Sequence, residues 1–312
     1  GNESWGDFDT FKWGNFGNPA DRANGNWLYI KEARHRVFRY CLFVHNYDGS
    51  TSSGLAEVPG NDFLVSLGSW TEIGGHKVGS RDEQAGSFMH ELGHTLGLDH
   101  GGGDDVNGKP NYISIMSYSR QMPYRVPTRL LDYSRAKLPS LNESNLDENL
   151  GVQDPANITT VFGPPVQDLL TRKWIAPYYP SLGPIDWNQN GLSNDSGLAI
   201  SINNFTKWDF GDTTLSVLEG YNDWANIELN FRDTANYAEG VHLSATDHEI
   251  TWEIVQLMRN EATGDTNPPI TSHNYDELWH TSDFTITLIA TDDTGVAATY
   301  YRINNGAQRS VS

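Results

Sequence analysis

The sequence predicts an α+β fold, with one long helix carrying paired histidines after short apolar strands and a small all-β module at the C-terminal end. Three observations predict it. Val37 to His45 and Asp62 to Gly68 are apolar runs of strand length. Arg81 to Leu96 repeats its apolar residues at helical spacing. Phe284 to Ala290 alternates as a strand does. With 312 residues the chain is long enough for two domains, placed here at 1–262 and 263–312.

Composition narrows the function. Twenty-one basic residues face 40 acidic ones, a net charge of −19. That balance argues against a nucleic-acid partner, whose phosphates need a basic surface. Cys41 is the single cysteine, so no intrachain disulfide forms. No apolar run approaches the length of a membrane span. An acidic, aromatic-rich, nearly cysteine-free chain suits a secreted or cell-surface protein held by metals. Five N-x-S/T sequons, at Asn2, Asn142, Asn157, Asn194 and Asn204, permit glycosylation. The chain opens at Gly1 without a visible signal peptide, as expected of a mature or trimmed form.

In chain order, residues 1–35 are polar, with a short helix over Trp27 to Arg34. Val37 to His45 reads as a strand covered on both faces. Asn46 to Gly60 reads as loop, and Asp62 to Gly68 as the second strand. His45 and His76 are expected to be surface or structural histidines.

The helix comes next. Ser80-Arg81-Asp82-Glu83 has the form of a capping box, with acidic residues suited to the first turn. Ala85, Phe88, Met89, Leu92 and Leu96 would face a core. His90 and His94 are four apart, so both imidazoles lie on one face, one turn apart, where one ion can meet both. Glu91 stands at the general-base position of the H-E-x-x-H zinc motif. Gly97 can take a left-handed conformation and end the helix, letting His100 return as a third ligand. Three protein ligands leave one tetrahedral position for water, which distinguishes a catalytic zinc site from a closed one. Only ten histidines occur in the chain, and three fall here at the required spacing.

Asn111-Tyr112-Ile113-Ser114-Ile115-Met116-Ser117-Tyr118 follows shortly downstream. With His90 to His100 it resembles the metzincin clan of zinc metallopeptidases. The resemblance spans about Val37 to Trp224. It implies a twisted sheet with an active-site helix and zinc in a cleft. It also implies that Met116 lies in a tight turn beneath the three histidines. Tyr118 is similar to the tyrosine that astacins and serralysins place near zinc, where it can bind the metal or stabilise the oxyanion. Metzincins lay an edge strand along the cleft just before the helix, and Asp62 to Gly68 holds that place. Substrate would add to it as an extended strand. The residue after the third histidine, Gly101, departs from the better-known subfamilies. The run His100-Gly101-Gly102-Gly103-Asp104 with Lys109-Pro110-Asn111-Tyr112 is more similar to a secreted prokaryotic, multidomain type. Leu131 to Ser134 and Leu138 to Glu143 resemble the segment that shapes the specificity pocket in that group.

Asp186-Trp187-Asn188-Gln189-Asn190-Gly191-Leu192-Ser193-Asn194-Asp195 opens like an EF-hand loop, within an insertion near 186–224. Oxygen side chains occupy positions one, three and five, and glycine position six. The twelfth position is Gly197, so the bidentate ligand is missing, and Asp195, Asp212 or Asp223 could replace it. A structural calcium held by Asp186, Asn188, Asn190 and Asp195 is expected, with modest affinity; the competing reading is a plain Asn-Gly turn. Tyr221 to Leu229 would pack back on the catalytic unit. Glu249 to Arg259 reads as a short helix and Glu261 to Pro269 as a linker. Phe284 to Ala290, a turn at Asp292 to Gly295 and a strand near Ala298 to Ile303 read as a hairpin. This end resembles the start of a bacterial-type immunoglobulin-like module, but is shorter than the roughly 100 residues of a full sandwich.

The functional expectation is a secreted zinc-dependent endopeptidase acting on protein or peptide substrates. Zinc on His90, His94 and His100 would activate water, Glu91 would serve as general base, and Tyr118 would donate to the oxyanion. Acid should release the metal, with activity lost below about pH 5. A reading of another class is a cell-surface binding or adhesion protein on a peptidase-like scaffold, with association through the C-terminal module. Glu91 favours the enzyme, since a scaffold has no need of it. A latent enzyme awaiting removal of a prosegment is the third reading. Cys41 sits in a predicted strand and is expected in the core rather than on the metal.

Overall fold

The computed structural model describes residues 3–47, 49–126, 128–167, 174–233, 249–263, 270–274, 287–291, 299–301 and 309–311. The chain divides into two compact units, Gly1–Met258 and Arg259–Ser312.

The first unit is built on a three-stranded sheet. Strands β1 (Tyr40–Val44), β2 (Gly54–Ala56) and β3 (Asp62–Ser66) lie in the order β1-β3-β2. β1 runs parallel to β3, with Tyr40 opposite Asp62, and β2 runs antiparallel, with Gly54 opposite Val65. β3 is therefore the centre of the sheet and buried throughout. This corrects the expectation that Asp62 to Gly68 forms the edge along the cleft. The antiparallel edge is β2, which lies inside the stretch read as loop. Three fully buried residues, Gly-Leu-Ala, give no alternation for a sequence pattern to register. β1 is an outer strand too. Phe43 is 59% exposed, so the run is not covered on both faces.

Helix α1 (Glu3–Asn15) was not expected, because its apolar residues do not line one face: Phe8 is buried and Phe11 is 61% exposed. A buried ion pair holds it to the sheet, Lys12 Nζ donating to Asp62 at 2.6 and 2.7 Å. Helix α2 (Trp27–His35) matches the expected short helix.

Helix α3 (Arg81–Thr95) starts and stops as expected. Ser80 and Glu83 form the reciprocal capping box. Gly97, at φ +83°, ends it. Its N–H bonds His94 O and the Leu98 N–H bonds Gly93 O, the paired bonds of a Schellman stop. Leu96 is buried and Phe88, Met89 and Leu92 pack against core clusters, as expected, but the most buried face is another. Ala85, Phe88, Met89 and Leu92 are only half-buried, whereas Gly86, Ser87, His90, Glu91, Gly93 and His94 are fully buried. The small residues permit close packing. A Cβ on Gly86 would stand 2.1 Å from Gln121 O, and one on Gly93 2.2 Å from Met116 Sδ.

Helix α4 (Tyr118–Gln121) follows, and the described residues between 122 and 222 form mostly irregular chain with short strand pairs. Buried carboxylates satisfy its amides where ladders do not. Glu143 accepts from Ile202 N and Ser216 N, and Glu148 from Asn188 N and Asp195 N. Asp223, which opens the single turn α5 (Asp223–Asn226), accepts from Tyr112 Oη, Ser114 Oγ and Ser134 N. Tyr221 packs over Gly102 and Gly103, and Glu228 N bonds Leu96 O. Tyr221 to Leu229 thus packs back on the helix end, as expected. Helix α6 (Trp252–Thr263) covers most of the predicted helix. Ile250, Ile254, Val255 and Met258 enter the main core with Val65, Leu67, Trp70 and Tyr118.

In the second unit, Ile270–His273 pairs antiparallel with Leu288–Thr291, and Thr299–Tyr301 with Arg309–Val311. Strand is present at 288–290 and 299–301, within the two predicted strands, whose remaining parts lie largely outside the described residues; among the described residues each pairs with another partner rather than with the other. The predicted turn at Asp292 to Gly295 lies outside the described residues. The architecture is mixed α and β with several small sheets. No helix among the described residues is long and apolar enough to cross a membrane.

Candidate metal centre

Helix α3, the turn after it and the segment before α6 bring four buried side chains together: His90, His94, His100 and Glu249. Among the described residues this is the one group of three or more histidines, cysteines and acids able to hold a metal ion.

Each histidine is oriented through its Nδ1. His90 Nδ1 lies 3.1 Å from Ile115 O, and His94 Nδ1 lies 2.7 Å from Leu98 O. A carbonyl oxygen only accepts, so in both rings Nδ1 carries the proton and Nε2 presents its lone pair. His100 Nδ1 lies 2.8 Å from Asp105 Oδ1, the carboxylate partner often found behind a metal-bound imidazole.

The Nε2 atoms of His90 and His94 are 3.1 Å apart. The Glu249 carboxylate is 3.0 Å from His90 Nε2, 3.2 Å from His94 Nε2 and 3.6 Å from His100 Nε2. The Nε2 lone pairs of His90 and His94 and the Glu249 carboxylate thus converge on one point, with His100 Nε2 beside them. A cation resolves this. Ligand atoms around a tetrahedral zinc with bonds of ~2.0–2.1 Å stand about 3.3 Å apart; the separations within His90, His94 and Glu249 are close to that, and all four ligand atoms lie within 4.8 Å of one another. The donor set, three imidazoles and a carboxylate, suits zinc and other borderline divalent ions.

Burial lowers His90 to about 4, so its ring stays neutral. Burial opposes charge on His100, but its hydrogen bond to Asp105 and the nearby Glu249 carboxylate outweigh it and raise the ring to about 10, so an incoming ion would displace its Nε2 proton. Burial would raise Glu249, yet the histidines packed around it hold it well below the usual carboxylate range.

Glu91 is fully buried beside this group. Neither oxygen makes a hydrogen bond of ordinary geometry, although the Ser53 hydroxyl favours its charged form. Burial first, and the charge of Glu249 second, push the carboxyl well above its usual range. It rests on the backbone of β2: a Cβ on Gly54 would stand 2.5 Å from Glu91 Oε1.

Met116 is fully buried beneath α3, and the preceding residue, Ile115, supplies the carbonyl that orients His90. Tyr118 stacks obliquely on the site, its ring centroid 4.6 Å from that of His100 and 5.7 Å from that of His90. Asn107 Oδ1 accepts the Tyr118 N–H at 3.1 Å. His45 and His76 are exposed and outside the cluster. Cys41 packs against the main core, its thiol pushed up to about 12 by burial and then by Glu91.

The segment expected to shape a specificity pocket lines a cavity of about 100 Å³, with Tyr133 and Leu138 among its walls and Arg120, Asp132, Arg135 and Asp154 as charged members.

The second motif is arranged differently. Asp186 accepts from Asn190 N at 3.0 Å and Gly191 N at 2.8 Å, and Asp195 Oδ2 accepts from the side-chain amides of Asn188 and Asn190 at 2.8 and 2.7 Å. Asp212 caps its own turn at Thr214, and Asp223 lies under the Met116 turn. Neither supplies the missing ligand of this loop, which corrects that expectation.

Glu249 was missed from the sequence. It stands far from the histidines along the chain, with no spacing to mark it. Asp105 lay within the acidic run after His100, and its proximity was the one available signal.

No protein-family model, no curated protein and no solved structure matches this chain.

Proposed function

We propose that the chain is a secreted, zinc-dependent endopeptidase of metzincin type. The observation that carries this reading is Glu91. A closed metal site needs no second buried carboxylate, and an uncompensated one is costly. Glu91 follows the first metal-binding histidine and lies against the sheet edge, where a general base for metal-bound water belongs.

Zinc, when bound, supplies polarisation of a peptide carbonyl and a water of pKa near ~7. The chain's own residues do the rest. His90, His94 and His100 are fixed by Ile115 O, Leu98 O and Asp105, so their Nε2 atoms need little reorganisation. Glu91 takes the proton from the attacking water and passes it to the leaving amine. Tyr118 donates to the tetrahedral oxyanion. An extended protein or peptide substrate, bound along β2, gives the main-chain contacts. Calcium at Asp186, Asn188, Asn190 and Asp195 is the second cofactor of this reading, and the residues after 258 serve as an immunoglobulin-like module for surface association.

Zinc content and casein cleavage, measured on wild type and Glu91→Ala, test the proposal. The expected result is one zinc per chain in both proteins. Cleavage present in wild type should fall by about 10²–10⁴-fold in the variant. A chain that takes up no zinc, or a variant that cleaves as well as wild type, would sink it. A metal-bearing adhesion protein is the reading that would then remain.

A further inference from the structure

The position opposite the three histidines is held by the chain itself. Glu249 reaches it from a segment seated on the sheet edge. Ser53 N donates to Ile250 O at 2.9 Å and Trp252 N donates to Thr51 O at 3.1 Å. Ser52 and Thr251 form an antiparallel bridge. Thr51 to Ser53 directly precede β2, which has no strand on its outer side among the described residues. Residues 250–252 thus occupy the continuation of that edge, where an extended substrate lying along β2 would run on.

The anchor is firm. Ile250 is fully buried, and Ile254, Val255 and Met258 continue into the main core. Glu249 is itself buried, and its oxygens stand 3.0 to 3.6 Å from the three Nε2 atoms. A carboxylate so placed leaves no room for water at the fourth tetrahedral position. Three ligands and a water make a catalytic zinc site; four protein ligands make a closed one. Glu91 shows that the site is equipped for the first state while the chain holds the second.

We propose that Glu249 is a fourth protein ligand that displaces the catalytic water. Residues 250–252 lie along the edge in place of substrate, so the chain holds its metal in a latent three-histidine, one-glutamate centre. The inference rests on the metal-centre reading above. Activation requires the carboxylate to leave the metal.

The test uses the full chain, wild type and Glu249→Gln, each loaded with cobalt(II) for spectroscopy and with zinc for assay. Acetohydroxamate, a small chelating probe, reports whether a coordination position is open. In wild type the cobalt spectrum should be insensitive to acetohydroxamate. In Glu249→Gln the spectrum should change and respond to the probe, and casein cleavage by the zinc form should rise at least about tenfold above the residual cleavage that wild type shows through transient release of the carboxylate. The double variant Glu91→Ala/Glu249→Gln should bind metal and not cleave. Glu249→Asp, one methylene shorter, gives a second reading should the glutamine protein fail to fold, and should respond to the probe as well. Identical spectra and probe responses in wild type and variants would overturn the inference while leaving the metal centre standing. A changed spectrum without any gain in cleavage would overturn the latency. Failure of every protein to bind cobalt or zinc would take down the metal-centre reading, and this inference with it.

Discussion

Two stretches of this chain carry metal-binding motifs, and they fold to opposite conditions. In the α3 centre, ring nitrogens with their lone pairs outward face one another and a carboxylate across 3.0 to 3.6 Å. In the Asp186 to Asp195 loop, the acceptors meet donors. Asp186 takes two backbone amides, and Asp195 takes two side-chain amides. The first arrangement could hold a metal ion; the second closes by itself. Motif spacing reports which residues can converge. Only the hydrogen-bond ledger reports whether convergence leaves charge unanswered.

Removing one converging group gives the largest effect. His94→Ala should reduce bound zinc from one per chain to none after dialysis, with cleavage lost alongside, as read by atomic absorption. A retained stoichiometric zinc would mean the lone pairs do not define the site. It would erase the contrast with the loop.

A smaller change sharpens the same contrast. Asp105 does not touch the metal position. It holds the His100 ring at 2.8 Å, and its own side chain is 62% exposed. Asp105→Ala should weaken zinc about 10- to 100-fold, the effect expected of a partner behind the ligand. Its exposure favours the lower end. Competition with a chromogenic chelator measures it, and an unchanged affinity would show that the His100 ring is fixed by packing alone.

Legibility followed the locality of the signal. The capping box at Ser80 and Glu83, the left-handed stop at Gly97 and the three histidines are all encoded within about twenty residues, and the sequence displayed them in full. The buried turn at Met116 was legible too, through its spacing from the helix. Glu249 was not. It arrives through long-range pairing of Ser53 with Ile250, which no local period records. β2 was hidden for a related reason: three buried residues cannot alternate. α1 was hidden because its hold on the sheet is one buried ion pair, Lys12 with Asp62, rather than an apolar stripe. The immunoglobulin-like and metzincin-like identities rest on motifs and remain proposals for the experiments above.

The smallest effect belongs to the loop. With Asp195 as the last acidic ligand and no glutamate at the twelfth position, calcium should bind with a Kd near ~1 mM, as in weak extracellular sites. At 1 mM calcium that adds only ~0.4 kcal/mol, and at 10 mM ~1.4 kcal/mol. A unit of this size gains about 2–4 °C in Tm per kcal/mol. The melting temperature of the zinc-loaded chain should therefore rise by roughly a degree at 1 mM and by several at 10 mM. The titration is made in metal-scrubbed buffer without chelator, so that zinc stays in place. Asp195→Ala should abolish the rise, and magnesium should not reproduce it. A rise of several degrees already at micromolar calcium would break the comparison, because the loop would then be a tight site whose amides give way to an ion. No rise up to 10 mM would settle the loop as an Asn-Gly turn closed by its own hydrogen bonds.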